Sequence, residues 1–215
     1  MRYKLVIFDM DGTLVDTSKG ILNSHRYAHK MMGLSEPSDA ELEGVIGGPL
    51  LQTYQMRFGF SAADAKKTVK IYRQYYAEYG IYESKLYDGM EELLISLREH
   101  EIKLGVATLK AERFAKIMLE NMGIANLFDV IYGVDENDKQ TTADLIQLCM
   151  TTLGMLKQET VMIGDSIHDL NGARECGIDF IGVTYGFGFS DEKKEQKWLM
   201  CSSIDELLDG ILNKE

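Results

Sequence analysis

The stretch Lys4-Leu5-Val6-Ile7-Phe8-Asp9-Met10-Asp11-Gly12-Thr13-Leu14 decides how the rest of this chain is read. Its apolar opening reads as a β-strand, and the strand runs straight into two carboxylates spaced two residues apart. Side chains two apart on an extended chain point the same way, so Asp9 and Asp11 share one side of the strand's C-terminal end. Ligands of open α/β sheets gather at that end. Gly12 permits a tight turn after the acids and frees amide N–H groups to face an anion. Standing alone, the string also fits an ordinary acidic turn leaving a strand.

Outward from this stretch, short β-rich runs alternate with longer helical patterns. Further strands are expected at 103–107, 130–132, 160–163 and 180–183, and helices at 90–100, 111–122, 142–153, 169–176 and 205–212. Several of the strands are almost wholly apolar, as strands covered on both faces of a parallel sheet should be. The rhythm predicts βαβ units with right-handed crossovers, an α/β Rossmann-like doubly wound parallel sheet. The interval 17–82 breaks it, carrying helical patterns and no convincing strand. Asp16-Thr17-Ser18 offers a helix start, and Ser61 an N-cap for a long helix over 62–79. The expected organisation is therefore a core domain of 1–16 and 83–215 with an inserted α-helical cap domain of 17–82.

Composition narrows the function. In 215 residues, 45% hydrophobic and 27% charged with two prolines, there is material for a packed core and no low-complexity tract. With 34 acidic against 23 basic residues the net charge is −11, which repels phosphate backbones and excludes a nucleic-acid binder as the natural reading. No segment approaches the roughly 20 apolar residues of a membrane helix, and Asp9 cuts short any secretory h-region. A cytoplasmic protein is expected. Cys149, Cys176 and Cys201 form no CxxC pair and read as thiols kept reduced.

A second acidic strand end sharpens the chemistry. Met162-Ile163-Gly164-Asp165 ends a later strand in a carboxylate, and Asp169 follows four residues on. Four carboxylates converging on one rim would raise one another's pKa, so a shared site implies a hard divalent cation with oxygen ligands, most simply Mg²⁺.

Three strings in order carry a resemblance. Asp9-Met10-Asp11-Gly12-Thr13-Leu14-Val15-Asp16-Thr17, Val106-Ala107-Thr108 and Gly164-Asp165-Ser166-Ile167-His168-Asp169 resemble the first, second and fourth motifs of the haloacid dehalogenase (HAD) superfamily. The branch that fits is the phosphoglycolate phosphatase-like and 5′-nucleotidase-like one with a helical cap. Ile46-Gly47-Gly48-Pro49-Leu50 resembles its substrate-facing cap loop, with Gly47 and Gly48 at the centre. Val183-Thr184-Tyr185-Gly186-Phe187-Gly188 is similar to a segment after the last strand of such members.

The resemblance implies a Mg²⁺-dependent phosphatase that hydrolyses small soluble phosphomonoesters through an aspartyl-phosphate. Asp9 would be the nucleophile and Asp11 the acid that protonates the leaving oxygen and then the base for water. Asp9, the backbone carbonyl of Asp11 and Asp165 would hold Mg²⁺, with Asp169 acting through a water. Thr108 would bind the phosphoryl oxygens. The family's third motif supplies a lysine, but Thr142 stands in its place. Lys139 is the nearest replacement and Lys110, two after Thr108, a second; a long flexible stem favours Lys139.

Other features read as structural. His25 and His29, four apart, lack a third metal ligand and read as a solvated or cap-packing pair. Tyr72, Tyr75, Tyr76 and Tyr79 recur at helical spacing and read as packing. Gly186-Phe187-Gly188 opens no helix and is no dinucleotide fingerprint. The alternatives to a phosphatase are a phosphosugar mutase of the same fold, and a catalytically weak protein that binds a phosphometabolite or a partner. The sequence sets no oligomeric state.

Overall fold

The computed structural model describes residues 2–47, 50–135, 139–189 and 198–213. They divide into two compact units, one of residues 1–16 and 85–215 and one of 17–84.

The larger unit is built on six strands: β1 (Leu5–Phe8), β4 (Lys103–Ala111), β5 (Val130–Val134), β6 (Thr160–Gly164), β7 (Asp179–Val183) and β8 (Leu199–Cys201). They lie in the order β5-β4-β1-β6-β7-β8 and every pairing is parallel. The chain runs from β1 outward to β5, then returns to β6 on the other side of β1, which makes the ends of the central strands the switch point where such sheets bind ligands. Between strands lie α5 (Met90–Glu99), α6 (Glu112–Asn121), α7 (Thr142–Leu153) and α8 (Ile167–Cys176), with α9 (Ile204–Leu212) last.

Burial explains why the strands are so apolar. All four residues of β1 and all five of β6 are buried. Leu5, Ile7 and Met162 join Leu145, Ile146, Cys149 and Leu170 in one core under α7 and α8. The helix ends are written in the sequence. Thr141 and Asp144 form a reciprocal capping box at the start of α7, and Gly154 ends it in the left-handed region. A short antiparallel pair, β2 (Val15–Asp16) with β3 (Lys85–Leu86), stands where the two connections leave this unit.

The smaller unit is helical. It contains α1 (Ser18–Met31), α2 (Asp39–Leu42), α3 (Leu50–Gln52), a π-helical turn at Thr53–Arg57, and α4 (Ala62–Glu78). Ser61 caps α4 by accepting the Asp64 N–H, whereas Thr17 makes no side-chain cap bond to α1. Gly20 and Gly80 let α1 and the chain after α4 approach closely, since a Cβ on Gly20 would overlap the Gly80 carbonyl.

The two histidines are interior. His25 Nδ1 lies 2.9 Å from Tyr54 Oη, and His29 Nδ1 lies 2.9 Å from the His25 carbonyl. Rings of Tyr54, Phe58 and Tyr72 surround His25. Tyr72 and Tyr76 are buried, whereas Tyr79 is exposed and leans on Tyr75, which stacks on Tyr27. The tyrosine stripe is thus half core and half surface stack.

Candidate active site

The ends of β1, β4 and β6 adjoin, because Phe8 pairs with Val106 on one side and Ile163 on the other. Residues just past those ends meet at one rim. Asp9 stays anchored to the sheet, its N–H donating to the Ile163 carbonyl at 2.9 Å. After Asp9 the chain folds back on itself: Gly12 N–H donates to the Val15 carbonyl, and the N–H groups of Leu14 and Val15 converge on the Met10 carbonyl. Gly12 makes this possible with φ of +85°, and its missing Cβ leaves room for the Asp165 carboxylate, which a side chain there would overlap.

Asp9, Asp165 and Asp169 come together. All three are buried, and ligand oxygens from each lie within 4.8 Å of one another. Asp165 follows β6, and Asp169 sits in the first turn of α8, where one of its oxygens accepts the Ser166 N–H at 3.0 Å and the Ser166 hydroxyl at 2.6 Å. Asp169 therefore orders the start of its helix and joins the carboxylate cluster at once.

Electrostatics follow from this crowding. Burial, then the charges of Asp169, Asp165 and Asp11, push the Asp9 carboxyl well above its ordinary value. Burial likewise raises Asp165, and lifts Asp169 to about 7. Three dry carboxylates that disfavour their own charges are an oxygen donor set suited to a hard divalent cation, which would allow all three to ionise.

Asp11 turns elsewhere. Lys110 Nζ lies 2.8 Å from each of its two carboxylate oxygens, and the lysine side chain is only 6% exposed. The reason lies in β4, whose pairing with β5 shifts register between Thr108 and Ala111. Gly133 on β5 accommodates the shift, since a Cβ there would overlap the Lys110 carbonyl and the Glu112 backbone. Thr108, buried, accepts the Lys110 N–H with its hydroxyl at 3.3 Å.

The sequence ranks Lys139 ahead of Lys110, and the structure pairs Lys110 with Asp11. Lys139 is exposed, two residues before the Thr141 cap of α7, while the half-buried Lys110 lays its side chain against Asp11. Thr142, in the place of the family's lysine, is buried in the first turn of α7 beside Gly172. Of the two cap-loop glycines, Gly47 is exposed with φ of +85°, and Gly48 lies outside the described residues.

Sequence reasoning assigned no role to residues 185–188 that the structure sets against this site. The N–H groups of Phe187 and Gly188 both donate to Asp165 Oδ2, at 2.6 and 3.1 Å. The Tyr185 hydroxyl donates to the Thr13 carbonyl at 3.1 Å.

A family model for haloacid dehalogenase-like hydrolases matches residues 6–183. The chain belongs to that family. This HAD-like hydrolase is 39% identical over 209 residues to a 5′-nucleotidase of Pseudomonas aeruginosa, covering 96% of this chain and 95% of the relative. It is also 35% identical to the tyrosine-protein kinase PtkA of Mycobacterium tuberculosis, over 97% of this chain and 72% of the relative. Among solved structures, one described as a predicted phosphatase from Clostridium acetobutylicum superposes with a TM-score of 0.88 at 35% identity, each chain covered completely. Within the family this HAD-like hydrolase is a phosphatase, a phosphoric monoester hydrolase.

Proposed function

We propose that this enzyme hydrolyses small phosphomonoesters through an aspartyl-phosphate on Asp9, with Mg²⁺ bound by Asp9, Asp165, Asp169 and the backbone carbonyl of Asp11. The observation that carries the reading is the buried cluster of Asp9, Asp165 and Asp169 beside the Lys110–Asp11 pair. Bound there, Mg²⁺ would supply the concentrated positive charge that lets the carboxylates and a phosphoryl group share one site.

Asp9 attacks phosphorus as the bond to the leaving oxygen breaks, and Asp11 gives that oxygen its proton. Water then attacks the phosphorus of the aspartyl-phosphate, Asp11 takes its proton, and the bond to Asp9 breaks to release inorganic phosphate. While Lys110 pairs with both oxygens of Asp11, that carboxylate carries no proton to give. An incoming phosphoryl group offers the ammonium a second anionic partner, so Lys110 moves its contact there and releases Asp11, which takes up a proton from water before it acts as the acid. Thr108 donates its hydroxyl to the same oxygens. The helical residues 17–82 act as the substrate-selecting cap, with Gly47 and Gly48 in its substrate loop.

Nucleoside 5′-monophosphates and phosphoglycolate are the first substrates to try, the former supported by the 5′-nucleotidase relative. A phosphotyrosine peptide belongs in the panel because of PtkA. Phosphate release is expected from at least one small phosphomonoester with Mg²⁺ and from none in a chelator. Undiminished turnover in the chelator would remove the cation from the mechanism, and an isomerised phosphosugar without free phosphate would make the enzyme a mutase.

A further inference from the structure

The carboxylate of Asp165 is held by a structure of its own. Its Oδ2 accepts two backbone N–H groups, from Phe187 and Gly188, and a third N–H, from Phe189, donates to the Asp165 carbonyl at 2.8 Å. One segment after β7 thus grips both ends of one residue. The fit is close because side chains are missing where they would collide. A Cβ on Gly186 would overlap the Gly12 carbonyl and lie 2.5 Å from Asp165 Oδ2, and one on Gly188 would lie 2.5 Å from the Asp165 carbonyl oxygen. Neither glycine has the positive φ that usually explains a glycine, so close approach is what these positions require.

The same segment also ties to the turn that carries Asp11. The Tyr185 hydroxyl donates to the Thr13 carbonyl, and the Tyr185 ring meets that of Tyr87 edge to face, with centroids 4.7 Å apart. Tyr87 in turn donates its N–H to the Leu14 carbonyl at 3.3 Å. The loops after β1 and β6 are thereby joined through residues 185–188.

We propose that residues 185–188 are a positioning clamp for the cation site: they occupy Asp165 Oδ2 with two N–H donors, stop the carboxylate from rotating, and leave Oδ1 as the oxygen offered to Mg²⁺. This rests on the cation reading above and adds residues that touch neither cation nor substrate. An oxygen that already accepts two N–H bonds has used its lone pairs, so the division of labour between the two oxygens is set before any cation arrives. Outer-shell partners of metal ligands typically govern affinity by 10- to 100-fold.

The test uses the full chain and inorganic Mg²⁺. Phe187→Pro deletes one donor to Oδ2, and Gly186→Ala forces a Cβ against Gly12 and Asp165. Gly182→Ala is the control, because the atoms its Cβ would meet most closely belong to Met200 and Phe180. Calorimetric titration should show Mg²⁺ binding weakened roughly 10- to 100-fold in Phe187→Pro and Gly186→Ala. Gly182→Ala should bind like the wild type whatever happens to its Tm. Should Phe187→Pro not fold, Gly186→Ala alone decides. A folded clamp variant that binds Mg²⁺ within about threefold of the wild type overturns the proposal, as does an equal loss in Gly182→Ala. A wild type that binds no Mg²⁺ overturns the cation reading itself and this clamp with it, and is told apart by needing no variant.

Discussion

Replacing Lys110 by methionine keeps an apolar stem of similar length and removes the ammonium. In the folded protein that ammonium is nearly dry and spans both oxygens of Asp11, whose side chain is 19% exposed. Breaking a fully buried pair costs about 3–5 kcal/mol because the remaining charge is stranded, but Asp11 keeps some access to water and the cost to folding should fall below that range. The cost to turnover has a separate source. If the ammonium moves to the phosphoryl group, its loss removes one preorganised electrostatic contact, on the order of 10²- to 10³-fold in kcat. Lys139→Met should change kcat little, since Lys139 is an exposed residue. The assay is kcat and KM with an aryl phosphate at saturating Mg²⁺, alongside Tm for each variant. An effect confined to KM would make Lys110 a substrate anchor only. Should Lys110→Met turn over within tenfold of the wild type while Lys139→Met loses a hundredfold, the assignment of Lys110 is wrong.

Two further outcomes follow from the buried groups. Asp9→Asn should abolish phosphate release, because an amide does not attack phosphorus, yet raise Tm in the absence of cation, because it removes a carboxylate that burial and three acidic neighbours disfavour; a variant that releases phosphate within tenfold of the wild type would reject Asp9 as nucleophile. His25, whose pKa burial and His29 lower to about 3, stays neutral in the folded chain while it takes up a proton in the unfolded one below about 6.5. Its folded pKa is depressed, so the stability it allows is complete above about pH 6.5 and falls by about 1.4 kcal/mol per pH unit between there and about 3. Urea unfolding at pH 7 and pH 5 should therefore cost the wild type about 2 kcal/mol more than His25→Phe, and equal losses would show that His25 does not control the acid response.

The parallel core is legible because strands buried on both faces cannot hide among polar residues: Leu5-Val6-Ile7-Phe8 and Val161-Met162-Ile163 have almost no other use. The span of α7 is legible for a different reason, its capping box and its terminal glycine, which are local chemistry. What stays illegible is short or paired at a distance. β8 is three residues long, and β2 with β3 amounts to two residues on each side, too few for any period to show. Of the four carboxylates the sequence sets on one rim, Asp9, Asp165 and Asp169 cluster there because each follows or closely trails the end of a strand, and strand ends of a parallel sheet share an edge. The clamp at 185–188 is visible in sequence only as a glycine-rich segment, since its bonds are made by backbone N–H groups that every residue but proline carries.

The two lysines show what distance along the chain leaves out. Ranking candidates by their distance along the chain from Thr142 favours Lys139, and a long flexible stem adds reach. Distance along the chain carries little weight at a sheet edge, where Lys110 and Asp11 are 99 positions apart and hydrogen bonded. At the end of β4 the register shift between Thr108 and Ala111 brings Lys110 to Asp11, whereas Lys139 lies in the connection before α7 with no strand to aim it. A missing charge in an anionic site is thus to be sought first among residues at the strand ends that line it, and only afterwards among neighbours of the position left vacant.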